Sequence, residues 1–427
     1  MSHRAVIVGG ARTPFVRAFA EFTDLTTIDL GVHAVRGALA RLGIPWDAVD
    51  ALVWGGVILP TDAPNVGREI VLDLGLPARV EARTVTRACA SGFQAICDGI
   101  ATIERGEAEV VIAGGSDSTS NAALTMPPSL IRKLGPVALN RKAGAKEWLS
   151  AIAGLSPRRD LLPRQPKVAE RSTGETMGEA CERMAVRNEF SREAQDQFTV
   201  QSHQRAAAAI ASGRFDDEVI PVELPDGRRI SRDTIVRDDI SLERIATLRP
   251  AFQKDGTLTA ANSSALTDGA ACVVLMSEAA AARLGQPPLA RLRSQAWVGV
   301  DPKDQLLMGP ALAMPLALER AGLRLDEIDR VDIHEAFAAQ VLAVLRMLES
   351  DAFGRERLGR AAAVGVVDPS RLNVHGGSLA LGHPFGATGA RMALTMAHEL
   401  SRTDGHTALI GICAAGGLGA AGVPERA

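Results

Sequence analysis

Little in this 427-residue chain stands in excess. Lysine and arginine number 47 against 50 aspartate and glutamate, a net charge of −3. Such a balance gives no whole-chain field to recruit polyanions and argues against nucleic acid as a partner. A hydrophobic fraction of 46% sets the chain apart from the disordered class. Cysteine is sparse and odd in number (89, 97, 181, 272 and 413), with no paired spacing of the metal-ligating kind. That pattern argues against a disulfide framework or a structural metal and leaves free thiols suited to a reducing compartment. Long apolar runs are missing too. The stretch of lowest polarity, 407–423, is broken by glycines and reads as a buried strand and turn, not a membrane span. The first residues, Met-Ser-His-Arg-Ala-Val-Ile-Val-Gly-Gly, lack a signal-peptide core, so the expected location is cytoplasmic.

What is present is an alternation of short apolar runs and helical patterns, which points to an α/β fold of two or three domains. Residues 5–8, 51–54, 110–113, 289–292, 331–333 and 408–412 read as buried strands, and 29–42 and 311–321 as helices. Two segments repeat. Residues 38–50 align without a gap on 317–329, with Gly43 and Gly322 where a helix C-cap belongs and a strand following each. Farther on, Ala90-Ser-Gly92 and Ala387-Thr-Gly389 each open a small-residue helix that leads to a strand. We read an N-terminal half, 1–121 completed by 251–285, and a C-terminal half, 286–427, with catalytic pieces expected at a pseudo-twofold interface between them. Between the halves, 122–250 reads as an inserted, mainly helical loop domain. It includes a long helix from the Ser191 N-cap to Ala211 and a basic hairpin over 124–168. The hairpin carries Lys/Arg at 132, 133, 141, 142, 146, 158, 159, 164 and 167 against Glu147 and Asp160, interleaved with apolar residues. It reads either as a solvated excursion or as a docking surface for a partner or an anionic membrane.

Three small-residue settings carry the chemistry. Cys89 lies in Arg-Ala-Cys-Ala-Ser-Gly-Phe-Gln (87–94), ahead of a helix over 91–104 whose N-terminus should depress the thiol pKa by about two units. His383 lies in Asn-Val-His-Gly-Gly-Ser-Leu-Ala-Leu-Gly-His-Pro (373–384), where it could take a proton from a thiol. Cys413 ends a buried strand and opens Cys-Ala-Ala-Gly-Gly-Leu-Gly, a turn suited to an oxyanion hole. His334, in His-Glu-Ala-Phe (334–337), could donate to a developing oxyanion. Each taken alone is as readily a structural residue. Together they suggest covalent acyl transfer with separate nucleophile, base and acid.

The chain also resembles the thiolase family along nearly its whole length. The resemblance runs through Val-Gly-Gly-Ala-Arg-Thr-Pro-Phe (8–15), the Cys89 segment, 202–206, 213–222, 258–271, and the His383 and Cys413 motifs. It implies a duplicated five-layer αβαβα core. It also implies Cys89 as the acylated nucleophile, His383 as its activator, Cys413 as the acid/base toward the acetyl methyl, and the amides of Cys89 and Ala415 as one oxyanion hole. His334 stands where many biosynthetic thiolases have asparagine, and the His-Glu-Ala-Phe form resembles the fatty-acid β-oxidation type. Met177 and Ser264 match positions near the pantetheine arm of coenzyme A. The resemblance thus implies 3-ketoacyl-CoA cleavage by CoA, with acetoacetyl-CoA synthesis or a non-catalytic lipid-carrier or scaffold role as alternatives. CoA and acyl-CoA would be substrates, with no tightly bound cofactor and no metal. A homodimer or dimer of dimers is implied, and the basic hairpin fits a β-oxidation α-subunit or peripheral membrane contact.

Overall fold

A computed structural model describes residues 4–163 and 169–427. Arg164 and Lys167 of the basic hairpin lie outside the described residues. Residues 122–168 form a compact unit separate from the rest of the chain, and the two units are taken in turn.

The larger unit is built on one sheet. Its strands are β1 (Ala5–Arg12), β2 (Ala51–Gly55), β3 (Glu81–Val85), β4 (Val110–Asp117), β5 (Thr267–Ser277), β6 (Ala290–Gly299), β7 (Arg330–Ile333), β8 (Ala408–Ala414) and β9 (Leu418–Arg426). They lie in the order β7-β8-β9-β6-β1-β5-β4-β2-β3, and a short strand Val16–Arg17 pairs with β5. The order mirrors itself about the middle. Outward from β1 the neighbours are β5 and β4, antiparallel, then β2, parallel. Outward from β6 they are β9 and β8, antiparallel, then β7, parallel. The halves meet at a single register pair, Ile7 with Ala290.

Side chains alternate across each strand, and the alternation builds the layers. Val111 and Ala113 of β4 join Phe93 and Ile96 of α2 (Ser91–Glu104) and Ala390 and Leu394 of α5 (Phe385–Arg402) in one buried cluster. Val110 and Ile112 face the other way, onto Leu30 and Leu39 of α1 (Thr27–Leu42). In the second half, Ile410 and Ile412 of β8 face the same central helices. Leu409 and Cys413 face Met314 and Leu318 of α4 (Gly309–Ala321). The layers are therefore α1, the first half of the sheet, α2 with α5, the second half of the sheet, and α4. The repeat expected at 38–50 and 317–329 takes one geometry twice. Gly43 (φ 62°) and Gly322 (φ 67°) both cap their helices in the left-handed region, which glycine enters without a Cβ penalty.

The 122–250 insertion divides in two. Residues from 169 onward belong to the larger unit. They are held by buried charge: Arg12 of β1 donates to Glu218 at 3.1 Å and bidentately to Asp233 at 2.7 and 2.9 Å. Ser191 caps α3 (Arg192–Ala211), accepting from the Ala194 N–H. Among the described residues of 122–250, strand content is limited to Val222–Glu223 and Arg229–Ile230. Residues 122–168 contain helices Pro128–Ala138 and Ala145–Ala153. Inside that unit Lys133 pairs with buried Asp160 at 2.8 Å. Leu139, Leu149, Ile152 and Leu162 are exposed. No described helix is long and apolar enough to cross a membrane.

Candidate active site

Cys89 sits two residues ahead of α2. The chain reaches it from β3 through Ala88, which takes a left-handed φ of 47°. The Ser91 hydroxyl locks this turn, donating to the Ala88 carbonyl at 2.6 Å and accepting from the Arg87 N–H at 2.7 Å. His383 likewise stands two residues ahead of its helix, α5. Its backbone N–H donates to Thr267 Oγ1 at the start of β5, 2.7 Å away. The two side chains meet, with Cys89 Sγ 3.2 Å from His383 Nε2.

The hydrogen bonds around His383 decide which of its nitrogens is free to accept a proton. Nδ1 lies 2.6 Å from Thr388 Oγ1, and that hydroxyl donates to the Pro384 carbonyl at 3.0 Å. With its proton so placed, Thr388 can only accept from Nδ1–H, which leaves Nε2 bare toward the sulfur. Burial pushes the Cys89 thiol up to about 12, against N–H donors from Ala415 and Cys89 that pull the other way. Burial, with the positive charge of Arg391, lowers His383 to about 3. A neutral thiol therefore faces a neutral imidazole. This corrects the expectation of a depressed thiol: the helix N-terminus is outweighed by desolvation of the charged form.

Cys413 is the penultimate residue of β8, opposite Gly419 of β9, and is fully buried. Its thiol is held well above the ordinary value by burial, then by Cys89 and Cys181. The turn beyond it passes through Gly416 and Gly417 at φ 83° and 66°, and the Ala415 N–H points at the Cys89 sulfur. His334 follows β7 and continues its ladder, its N–H donating to the Gly411 carbonyl at 2.8 Å. Its ring lies 4.2 Å from that of His383, centroid to centroid. Cys89, His334 and His383 present ligand-type atoms all within 4.8 Å of one another, the only such metal-capable group among the described residues. Met177 opens helix Met177–Arg187 and packs, half-buried, against the cluster that contains Cys413 and Phe337. Ser264 donates its N–H to the Ala336 carbonyl at 3.0 Å, two residues beyond His334. Cys97, Cys181 and Cys272 are buried in helices and a strand. His375 pairs instead with Glu399 at 2.8 Å.

Several residues of the site went unremarked in the sequence. Asp117, at the end of β4, accepts N–H groups of Val57, Ile58 and Gly386 at 3.0, 2.6 and 2.6 Å, pinning the first turn of α5. Burial raises its carboxyl to about 6. Glu335 accepts from Ser202, Asn373 and Leu379 and so braces the strand end that carries His334. Thr388, Ser378 and Arg391 are polar residues in small-residue stretches. That is the one signal that could have marked them.

The N-terminal domain of thiolase matches residues 5–279 and its C-terminal domain residues 286–426. The 3-ketoacyl-CoA thiolases of Yersinia pestis (strain Pestoides F) and Yersinia pseudotuberculosis serotype O:1b (strain IP 31758) are each 46% identical over 424 residues, 99% of this chain and 97% of theirs. Among solved structures, human mitochondrial 3-ketoacyl-CoA thiolase superposes with a TM-score of 0.83 at 33% identity, covering 100% of both chains. The same human enzyme in complex with CoA gives 0.83 at 32%, covering 100% of this chain and 99% of that one. Bacillus anthracis acetyl-CoA acetyltransferase gives 0.85 at 33%, again covering 100% and 99%. By motif, by fold and by full-length similarity, the chain belongs to the thiolase family.

Proposed function

We propose that this chain is a 3-ketoacyl-CoA thiolase, an acyltransferase that cleaves 3-ketoacyl-CoA with CoA to acetyl-CoA and a shortened acyl-CoA. The observation that carries the reading is the 3.2 Å approach of the Cys89 thiol to an unprotonated His383 nitrogen whose other nitrogen is engaged. Because both groups rest neutral, the proton leaves sulfur as sulfur attacks the 3-keto carbon, and His383 becomes the imidazolium. The carbon–carbon bond then breaks. An acyl thioester remains on Cys89 and the acetyl-CoA part leaves as an enolate. Cys413 gives its proton to that carbon. Free CoA attacks the acyl-enzyme, giving its proton to the Cys413 thiolate, and Cys89 leaves as a thiolate that takes back the proton held on His383. The amides of Cys89 and Ala415 serve the oxyanion at the 3-keto carbon. His334 and the protonated His383 serve the thioester oxygen, where the enolate charge collects.

The direct test is a thiolysis assay with CoA and a chain-length series of 3-ketoacyl-CoA substrates. Mass spectrometry of the trapped enzyme should find the acyl group on Cys89, and Cys89→Ser should abolish it. A thioester elsewhere, or no cleavage of any chain length, overturns the assignment. A carrier or scaffold subunit on the same fold would show neither product.

Two association surfaces go with this reading. β3 closes one end of the sheet and pairs on one side only, a natural edge for a second copy of the chain; light scattering gives the oligomeric state. The 122–168 unit presents exposed Leu149 and Ile152 on one short helix together with exposed Arg132 and Arg159. This suits peripheral contact with an anionic membrane. Co-sedimentation of the full chain with anionic vesicles, weakened by salt and by Leu149→Asp, is the expected result.

A further inference from the structure

The geometry points to Ser378, backed by Arg391, as a positioning residue: it fixes the His334 ring so that Nε2–H faces the substrate oxygen. This rests on the function proposed above, since it assigns His334 the task of stabilising the enolate.

His334 is fully buried, and its two nitrogens differ sharply in their surroundings. Nδ1 lies 2.9 Å from Ser378 Oγ, whereas Nε2 has no partner among the described residues. Which nitrogen carries the proton follows from the next link outward. Arg391 Nη2 approaches the same Ser378 oxygen at 3.5 Å, and Arg391 is held in turn by Asp332 at 3.3 Å. A guanidinium only donates, so Ser378 Oγ accepts from it and keeps its own hydrogen free to give. The described acceptor within its reach is His334 Nδ1. Donation then runs one way along the chain, from Arg391 to Ser378 to His334, and the ring's proton must sit on Nε2. The reverse tautomer would leave two buried polar atoms unpaired, the serine hydrogen and a bare Nε2, whereas this one leaves only Nε2–H, which a substrate oxygen can meet.

The consequence is an opposed pair of imidazoles. Thr388 gives His383 a bare Nε2 toward Cys89, and Ser378 gives His334 a protonated Nε2 at a ring 4.2 Å away. One histidine takes the thiol proton while its neighbour, without changing charge, offers a hydrogen bond. Burial keeps His334 far below its ordinary pKa, with the charges of His383 and Arg391 acting in the same sense. It therefore works as a neutral donor, and its tautomer, which Ser378 sets, decides whether it donates at all.

The test has a spectroscopic arm and a kinetic arm. In the wild-type chain labelled with 15N-histidine, His334 should show a protonated Nε2 and a bare Nδ1; the opposite pattern overturns the assignment whatever the activity. Kinetically, Ser378→Ala should lower thiolysis kcat by about 10- to 100-fold with KM within about twofold, a fraction of what losing a whole oxyanion donor costs. In a His334→Asn background the same Ser378→Ala change should have no further effect, because a carboxamide donates through N–H without a tautomer to set. Wild-type kcat in Ser378→Ala, or an equal fold-loss in the asparagine background, overturns the proposal. A chain with the Nε2–H tautomer but no thiolysis would overturn the catalytic task and the proposed function together, leaving the hydrogen-bond assignment standing.

Discussion

The two halves of the core share a topology and put it to different uses. Ala51 pairs with Val111 in the first half and Arg330 with Ala408 in the second. Four residues on from Ala51 and from Arg330 stand Gly55 and His334. Five on from Val111 and from Ala408 stand Ser116 and Cys413. On the function proposed above, those strand ends carry chemistry in the second half. In the first half they carry packing. A Cβ at Gly55 would meet the Ser91 carbonyl carbon at 2.5 Å, and Ser116 is tied to Thr27 and Trp54 at 2.7 and 2.8 Å. The first half contributes its thiol from the turn before α2 instead, brought close only because its strand ends give way. A duplicated frame yields an asymmetric pair of strand ends because one copy leaves room for the turn that carries Cys89 while the other places His334 and Cys413.

The largest break in that comparison should come from Cys413→Ala. Loss of an acid positioned at the enolate carbon should cost about 10³-fold in thiolysis, while Cys89 still acylates with acyl-CoA. Ser116→Ala, the matched change in the first half, should leave kcat within about threefold and appear instead as lost stability of about 1–2 kcal/mol. Steady-state rates, acyl-enzyme mass and hydrogen–deuterium exchange at the acetyl methyl separate the two. Retained exchange in Cys413→Ala would refute the acid role.

The next effect tests packing against packing. A Cβ at Gly115 would stand 2.1 Å from the Gly386 carbonyl oxygen, which is backbone at the foot of α5. At Gly411, three residues beyond Arg330's partner Ala408, it would meet the Met314 sulfur at 2.6 Å, the movable part of a flexible side chain. Gly115→Ala should therefore destabilise by about 3 kcal/mol and Gly411→Ala by about 1 kcal/mol, read from urea midpoints. Equal losses would mean that the central helices give way as readily as a methionine does.

A smaller catalytic effect is expected at Thr388. Replacing it by valine keeps the shape and removes the acceptor for His383 Nδ1–H, so the ring loses its preference for a bare Nε2. We expect kcat to fall about tenfold, with a stability loss of about 1 kcal/mol from the ring nitrogen left unpaired. A valine variant as active as wild type would show that α5 alone orients the ring.

Much of this arrangement was readable from residue order, and the reasons are local. The helix over 192–211 follows from its Ser191 cap and acidic first turn, that over 91–104 from apolar residues at 93, 96, 100 and 103, and both repeat segments follow from a glycine forced into the left-handed region. β3, β5 and β9 were harder. Glu-Ala-Arg-Thr-Val is half exposed at a sheet edge, β9 is rich in alanine and glycine, and β5 is buried from end to end, so period-two alternation marks none of them. In the site, Cys89, His383, His334 and Cys413 stand out because thiols and imidazoles are rare here. Ser378, Thr388 and Asp117 act only through neighbours that the fold brings close, and nothing in their own spacing announces it. The thiol's pKa failed for a related reason. A helix N-terminus can be seen in one dimension, whereas the burial that outweighs it is the sum of both halves.

The smallest expected effect is on the pH profile, and it bears directly on how the halves cooperate. Cys89 comes from one half and His383 from the other, and burial between them moves the thiol up to about 12 and the imidazole down to about 3. Raising the pH through 7 therefore neither ionises the first nor deprotonates the second, which is already neutral. Asp117, facing Cys89, titrates near 6 and is ionised above it, so a decline is expected only on the acid side. Between about pH 6.5 and 9, kcat/KM for the 3-ketoacyl-CoA should change by less than about twofold. Over the same range, alkylation of the free enzyme's thiol should climb without a plateau near 7. A bell centred near 7, or a labelling rate already saturated there, would mean that Cys89 and His383 rest as an ion pair, and that the helix ending of the first half outweighs the burial the second half imposes.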